Sequence, residues 1–420
     1  MTATEAALRR VPGGAMPPVM SMRDVVVDYA TESSVRAVRG VSLDIAPGEV
    51  VGVAGESGCG KSTLAYAMTR LLRPPGQVTS GSVTFTAAGT HEAVDVLGLE
   101  GHELRAFRWA RIAMVFQSAM SALNPVVNIE RQLSDVFAAH DVKLSRKEKH
   151  ERCAELIELV GIDRSRLSSF PHELSGGMRQ RVMIAMALAL RPDIIVMDEP
   201  TTALDVVVQR EILAEIDRLR EMFGFAVVFI THDLSLLLEI SDHIAIMYAG
   251  RIVEYGEAAE ILARPKHPYT VGLIDSFPSL RGARRELRGI PGSPPDLSRP
   301  VHGCAFAPRC RHSFDACSTI DPALKVPGTF SRAAGDANPD RTVSPMSLLS
   351  SVACLLHDPS VRPGGPPVNL HHPTHPSRAE TDAAVALGGA GARTETEKEI
   401  GTGMPGSEPE QVTSSGGVGP

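Results

Sequence analysis

Residues Gly55 to Thr63 read GESGCGKST, preceded by the apolar run EVVGVA and followed by STLAYAMTRLL. This pattern, G-x-x-x-x-G-K-[ST] between a buried strand and a helix, limits the possible folds more than any other stretch of the chain. Glycines let backbone N–H groups curl around phosphate oxygens where side chains would clash. The helix that follows turns its N-terminal amides and the positive end of its dipole toward the same anion. Lys61 supplies a mobile positive charge for β- and γ-phosphates, and the Ser62 hydroxyl can ligate Mg²⁺. Gly55, Glu56, Ser57, Gly58, Cys59, Gly60 and Thr63 complete the expected nucleotide-binding loop. The bland alternative is an ordinary glycine turn, and the flanking strand and helix argue against it.

Around this loop the chain alternates strand and helix patterns. Strands are expected at DVVVDY, VSLDI, SVTFTA, RIAMVFQ, DIIVMD, FAVVFI, HIAIMY and RIVEY. The clearest helix is VVVQREILAEIDRLREMFG, where Ile212, Leu213, Ile216 and Leu219 share a face and Gly224 stands at the C-cap position. Such alternation implies a mainly parallel sheet with helices on both faces. From about 119 to 174 strand signals stop and helical patterns take over, so a helical insertion is expected there. Residues 1–20 read as a flexible N-terminus, 21–262 as the nucleotide-binding domain, and 263–357 as a Pro- and Gly-rich extension with a late cysteine cluster. The stretch 358–420 has few large apolar side chains and is expected to be disordered. No internal repeat is visible, so one nucleotide-binding unit per chain is expected.

Composition excludes some functions. A net charge of -7 and a pI near 6.1 offer no wide basic surface, and aromatics are only 4%, which argues against a nucleic-acid partner. The longest apolar runs, such as Val182 to Leu190, are about half of the roughly 20 residues a membrane-spanning helix needs. The first residues lack the apolar core of a secretory signal. The chain is therefore expected in the cytosol, with any membrane work done through another polypeptide.

Two further motifs carry chemistry. IIVMDE ends an apolar strand in two acids: Asp198 is placed to hold Mg²⁺ through water, and Glu199 to orient the attacking water as general base. LSGGMRQR, with Leu174, Ser175, Gly176, Gly177 and Met178 at its head, opens a helix whose tip is bare of side chains and suited to a γ-phosphate. At this point the sequence resembles the ATP-binding subunits of ABC transporters, over roughly residues 22–262. The resemblance implies an α/β fold: a P-loop NTPase core with a mainly parallel sheet, an antiparallel β subdomain, a helical insertion and an irregular C-terminal extension. It implies that the signature reaches ATP held by a second ATPase subunit. It also implies that Tyr29 stacks on adenine, that Gln117 senses metal and water, and that Ala203, Leu204 and Asp205 touch the opposite subunit. His232 becomes the switch residue at the γ-phosphate. Lys61, Gln117, Glu199 and His232 form the expected catalytic set, with Ser62, Gln117 and Asp198 around Mg²⁺.

Two stretches resemble a narrower family, the ATPase subunits of bacterial dipeptide, oligopeptide and nickel importers. One is FQSAMSALNPVVNI, where Ser118-Ala119 replace the family's Asp-Pro; the other is RPKHPYTVGLIDSFPSL around His267-Pro268-Tyr269-Thr270. His267, flanked by prolines, reads as a structural turn. The resemblance implies two transmembrane permease subunits, an extracytoplasmic solute-binding protein acting indirectly, and a place on the cytoplasmic face of the inner membrane. It favours a heterodimer of ATPase subunits, although the sequence alone allows a homodimer. A soluble ABC ATPase acting on ribosomes or nucleic acid is the competing reading. Cys304, Cys310, Cys317 and Cys354 could hold a 4Fe-4S cluster or a tetrahedral zinc, or could stay free thiols. Their region resembles the cluster-bearing extension of some peptide-importer ATPases, which implies a 4Fe-4S cluster with a structural or redox-sensing role. Cys59 reads as a small filler of the loop and Cys153 as helix packing.

Overall fold

Apolar runs of about five residues with no polar alternation are the signature of strands covered on both faces. The computed structural model bears this out, and it describes residues 17–30, 34–87, 92–117, 122–202, 204–276, 289–327, 350–367 and 370. In chain order the first half comprises β1 (Met20–Tyr29), β2 (Val35–Ile45), β3 (Val50–Ala54), α1 (Lys61–Met68), β4 (Gly76–Thr86), β5 (Ala93–Asp95), α2 (Gly101–Phe107) and β6 (Ile112–Val115). Then follow α3 (Ile129–Ala139), α4 (Arg146–Leu159), α5 (Gly176–Leu188), β7 (Ile194–Asp198), α6 (Val206–Phe223), β8 (Ala226–Ile230) and α7 (Leu234–Ile240). The remainder holds β9 (His243–Tyr248), β10 (Arg251–Glu257), α8 (Ala258–Ala263), α9 (Pro268–Asp275) and β11 (Ser351–Val352).

The strands form two sheets. The larger runs β11-β10-β9-β3-β8-β7-β6, parallel from β9 to β6 and antiparallel at the β10 and β11 edge. β3, β7 and β8 are buried at every residue, as both-face coverage requires. The smaller sheet, β2-β1-β4-β5, is antiparallel throughout. Its inner face, including Val27, Val38 and Phe85, packs with Leu64 and Met68 of α1. Thus α1 lies between two apolar surfaces, which fixes the loop that precedes it.

Helix ends follow from side chains that were visible in the sequence. Asp205 caps α6, accepting from the N–H groups of Val207 and Val208 at 3.0 Å, and Gly224 closes it in the left-handed conformation at φ 74°. Ser145 and Glu148 form a reciprocal capping box on α4. In the span expected to be a helical insertion, the described residues carry α3, α4 and two short 3-10 turns. Three details differ from the sequence reading. Helix α1 stops at Met68 instead of continuing through Leu72, because Thr69 ends the ladder and Arg70 turns to φ 59°. The extension adds a two-residue strand, β11, to the main sheet. Order also continues past 357: Leu370 is buried against Val352, Cys354 and Leu356. Residues 1–16 and 371–420 lie outside the described residues.

Candidate functional site

Strand order decides which loops meet. β3, β8 and β7 are neighbours, so the segments leaving their C-terminal ends emerge side by side. These segments are the phosphate loop, Thr231-His232 and Asp198-Glu199. The loop needs glycine at two crowded positions. A side chain on Gly55 (φ +153°) would put Cβ 2.2 Å from the Met247 carbonyl oxygen, and one on Gly60 (φ +105°) would put it 2.4 Å from that of Ala37. Lys61, buried at the start of α1, folds back so that its Nζ donates to the carbonyls of Gly55 at 2.7 Å and Glu56 at 3.0 Å. Cys59 is buried below the loop, with its sulfur 3.8 Å from the same ammonium.

Ser62 Oγ donates to Asp198 Oδ1 at 3.1 Å across 136 residues of sequence. Asp198 is 0% exposed, and its Oδ2 has no hydrogen-bond partner. Burial pushes its carboxyl above the usual range, and the Ser62 hydrogen bond opposes that shift. A buried, unpartnered carboxylate oxygen beside a hydroxyl is a donor set that suits Mg²⁺. Glu199, at φ 51°, donates its N–H to Ile230 at 2.8 Å, which locks it to the end of β8. Its carboxylate accepts from Thr202 Oγ1 at 2.7 Å and has His232 Nδ1 2.8 Å from both oxygens. The Glu199 side chain is 11% exposed and that of His232 65%, so the pair forms a rim with its histidine turned outward.

The other expected residues are more dispersed. Tyr29 ends β1 with its hydroxyl 3.3 Å from Thr63 Oγ1, and its ring lies so close to Gly76 that a Cβ there would be 2.7 Å from it. Gln117 is exposed two residues past β6, the strand beside β7. Ser175 caps α5, its Oγ accepting from the Met178 N–H at 3.2 Å, with Leu174 buried behind it. Gly177 has a packing reason that the sequence did not reveal: a Cβ would lie 2.7 Å from Val208 of α6. Leu204 packs on the core, Asp205 caps α6, and Ala203 lies outside the described residues, as do Ser118 and Ala119. Val206 and Val207 beside this loop are 66% and 68% exposed.

The expected cysteine cluster is overturned. Among the described residues no group of three or more His, Cys, Asp or Glu side chains could hold a metal ion, and Cys304, Cys310, Cys317 and Cys354 are free. The physical reason is that the thiols serve packing. Cys304 and Cys310 lie against the main core and Cys354 belongs to a small apolar cluster. Burial among these side chains pushes the thiols of Cys304 and Cys354 up and that of Cys310 to about 11. His267, by contrast, is the structural turn its prolines suggested: it is buried, and its Nδ1 caps α9 by accepting from the Tyr269 N–H at 3.0 Å. Sequence reasoning missed two residues at the loop, Tyr269 and Arg309, both of which bond to Glu56.

A glycine-lined loop bearing Lys61, a Ser62–Asp198 pair and a Glu199–His232 pair on adjacent strands define an ATP-binding cassette ATPase. The comparisons agree: the ABC transporter family matches residues 38–202, and the oligopeptide/dipeptide transporter C-terminal region matches residues 253–317. The oligopeptide transport ATP-binding protein OppD of Escherichia coli (strain K12) is 40% identical over 307 residues, covering 72% of this chain and 89% of that protein. The dipeptide transport ATP-binding protein DppD of Bacillus subtilis (strain 168) is 41% identical over 315 residues, covering 74% and 92%. Among solved structures, the dimeric ATP-binding cassette MJ0796 bound to ADP and Pi has a TM-score of 0.50 at 28% identity, covering 57% of this chain and 98% of that one. The chain belongs to the ATP-binding subunits of oligopeptide and dipeptide ABC transporters.

Proposed function

We propose that this chain hydrolyses MgATP to drive peptide uptake through a separate membrane permease, working from the cytoplasmic face of the membrane. Among the described residues no helix is long and apolar enough to cross a membrane, so the translocation path is assigned to partner permease subunits. The observation that carries the reading is the convergence of Lys61, Ser62 and Asp198, with the buried Asp198 Oδ2 unpartnered. Ser62 and Asp198 would hold magnesium, whose charge would offset that of the phosphates. Lys61 turns from the loop carbonyls to the β- and γ-phosphates, and backbone amides of residues 56 to 61 receive the remaining oxygens. Glu199 orients water for in-line attack and takes up its proton, while His232 holds that carboxylate in place and faces the γ-phosphate.

The Ser175-Gly176-Gly177 tip completes the site on a second ATPase subunit, and ATP thereby joins two subunits whose separation follows hydrolysis. That subunit is proposed to be a different chain, with an external solute-binding protein delivering the peptide. The named relatives and the matching C-terminal region support transport over action on ribosomes or nucleic acid. Reconstitution with the cognate permease in liposomes tests the reading. Magnesium-dependent ATP hydrolysis and accumulation of labelled peptide should both fall more than a hundredfold with Lys61→Ala. Hydrolysis by that variant at the wild-type rate would refute the assignment of the loop.

A further inference from the structure

The C-terminal extension reaches the phosphate loop through two residues, Arg309 and Tyr269, which both meet Glu56. Arg309, on a short 3-10 turn, is only 5% exposed and grips Glu56 with both arms of its guanidinium, at 2.6 Å and 2.9 Å. Its Nε donates to the Pro291 carbonyl at 2.8 Å and one arm also donates to the Tyr248 hydroxyl at 3.2 Å, which leaves the group little freedom to swing. Tyr269 of the HPYT stretch accepts the Glu56 N–H at 2.8 Å. Tyr248, Tyr269 and Phe306 pack ring to ring at 4.6 to 5.4 Å and form the seat for these contacts. The carbonyl of the same Glu56 accepts from Lys61. The extension therefore holds both the backbone and the side chain of the residue from which Lys61 departs to reach phosphate.

We propose that Arg309 and Tyr269 are positioning residues of the phosphate loop, through which the C-terminal extension sets the affinity for MgATP. The inference rests on the reading of Gly55 to Thr63 as the ATP site. Two physical effects act together. The paired bonds fix where the Glu56 amide and carbonyl lie, and hence the curvature of the loop that cradles phosphate. Arg309 also neutralises a carboxylate that would otherwise stand beside the bound triphosphate and repel it. Packing alone does not require this arrangement, because an ion pair largely withdrawn from water, with Arg309 5% and Glu56 26% exposed, adds little net stability compared with an apolar contact of the same shape. Arg is suited to it, since its planar fork matches a carboxylate in a way that Lys does not.

The test uses the full-length chain, with equilibrium binding of a fluorescent ATP analogue, KM and kcat for MgATP, and the thermal midpoint. Arg309→Ala is expected to raise KM and the dissociation constant about tenfold, the equivalent of one lost charge-assisted hydrogen bond, with kcat changed less than about threefold. Tyr269→Phe is expected to raise them about threefold. Adding Glu56→Gln to Arg309→Ala should recover part of the affinity, since it removes the stranded charge. A role confined to holding the extension in place would lower the thermal midpoint and the active fraction without moving KM. Unchanged KM in Arg309→Ala overturns the proposal, and so do Glu56→Gln and Arg309→Ala effects that multiply instead of offsetting. If Arg309→Ala does not fold, Arg309→Lys and Tyr269→Phe carry the test, and wild-type KM in both overturns it. Lys61→Ala separates the two readings: retained binding there sinks the ATP-site assignment, whereas its loss beside unaffected Arg309 and Tyr269 variants sinks only the clamp.

Discussion

Replacing Glu199 by Gln isolates one chemical property, because the two side chains have the same shape and differ in basicity. The structure sets what else changes. The Glu199 N–H keeps its bond to Ile230, and a Gln oxygen can still accept from Thr202 and face His232. What is lost is one of the two carboxylate oxygens facing His232, whose side chain is 65% exposed, and contacts so open to water contribute under about 1 kcal/mol. The thermal midpoint should therefore fall by no more than about 3 °C. Catalysis is another matter. A positioned general base accounts for roughly 10²- to 10⁴-fold in rate, or about 3–5 kcal/mol of barrier. Phosphate release by Glu199→Gln should drop by at least a hundredfold while the affinity for MgATP holds. Because ATP would then persist between two subunits, size-exclusion chromatography in MgATP should show an accumulated pair. Turnover within twofold of wild type, with folding intact, would refute the role assigned to Glu199.

Two further outcomes follow from buried backbone and buried charge. Gly60→Ala forces an L-residue to φ +105° with its Cβ 2.4 Å from the Ala37 carbonyl, so stability should fall by about 2 kcal/mol or more and binding of the ATP analogue should fail. Calorimetry and fluorescence titration check it, and wild-type affinity would count against the loop geometry. Glu254 is fully buried, accepting from the N–H groups of Lys266 and His267 at 2.7 and 2.8 Å, and burial raises its carboxyl to about 7, an effect the donors and the Lys266 ammonium only partly offset. Its folded pKa lies above its unfolded value, so its contribution to stability is complete below about pH 4.5 and is lost as pH rises through about 7. The difference is about 3 kcal/mol. Urea unfolding at pH 5 and 7.5 should show that slope in wild type and a flatter one in Glu254→Gln, and equal slopes would contradict the reasoning.

Much of the site could be read from the chain because its logic is local. An apolar run with no alternation gives β3, β7 and β8, and the residue types at their ends give the loop, the two acids and the histidine. Gly224 announces the C-terminal end of α6 in the same way, whereas the capping role of Asp205 came only from the structure. What the sequence hid depends on contacts across long separations. Glu56 and Arg309 stand 253 residues apart, and neither sits in a pattern that names the other. Gly177 looked like a phosphate contact and is also required by the nearness of Val208, a fact of helix packing that periodicity does not report. The cysteines failed in the opposite sense. A resemblance of their region implied a cluster, yet among the described residues they form no group that could hold a metal ion, and Cys304, Cys310 and Cys354 lie against apolar side chains.

The end of β9 explains why the nucleotide loop and the extension are mechanically joined. Two successive residues of this strand serve two tasks, Met247 through its backbone carbonyl and Tyr248 through its side chain. The carbonyl of Met247 stands against Gly55 and allows only glycine there, while the Tyr248 ring helps to seat Arg309. The turn that follows continues the backing, since the Gly250 N–H donates to the Cys59 carbonyl at 2.9 Å and the Gly250 carbonyl accepts from Arg39 at 2.8 Å. The phosphate loop is thus supported from beneath by β9 and its turn, and held at Glu56 by groups anchored on the same strand. A shift of Arg309 cannot be absorbed by the loop alone, because its floor is part of the main sheet. It must appear at Glu56, whose carbonyl is a resting place of the Lys61 ammonium.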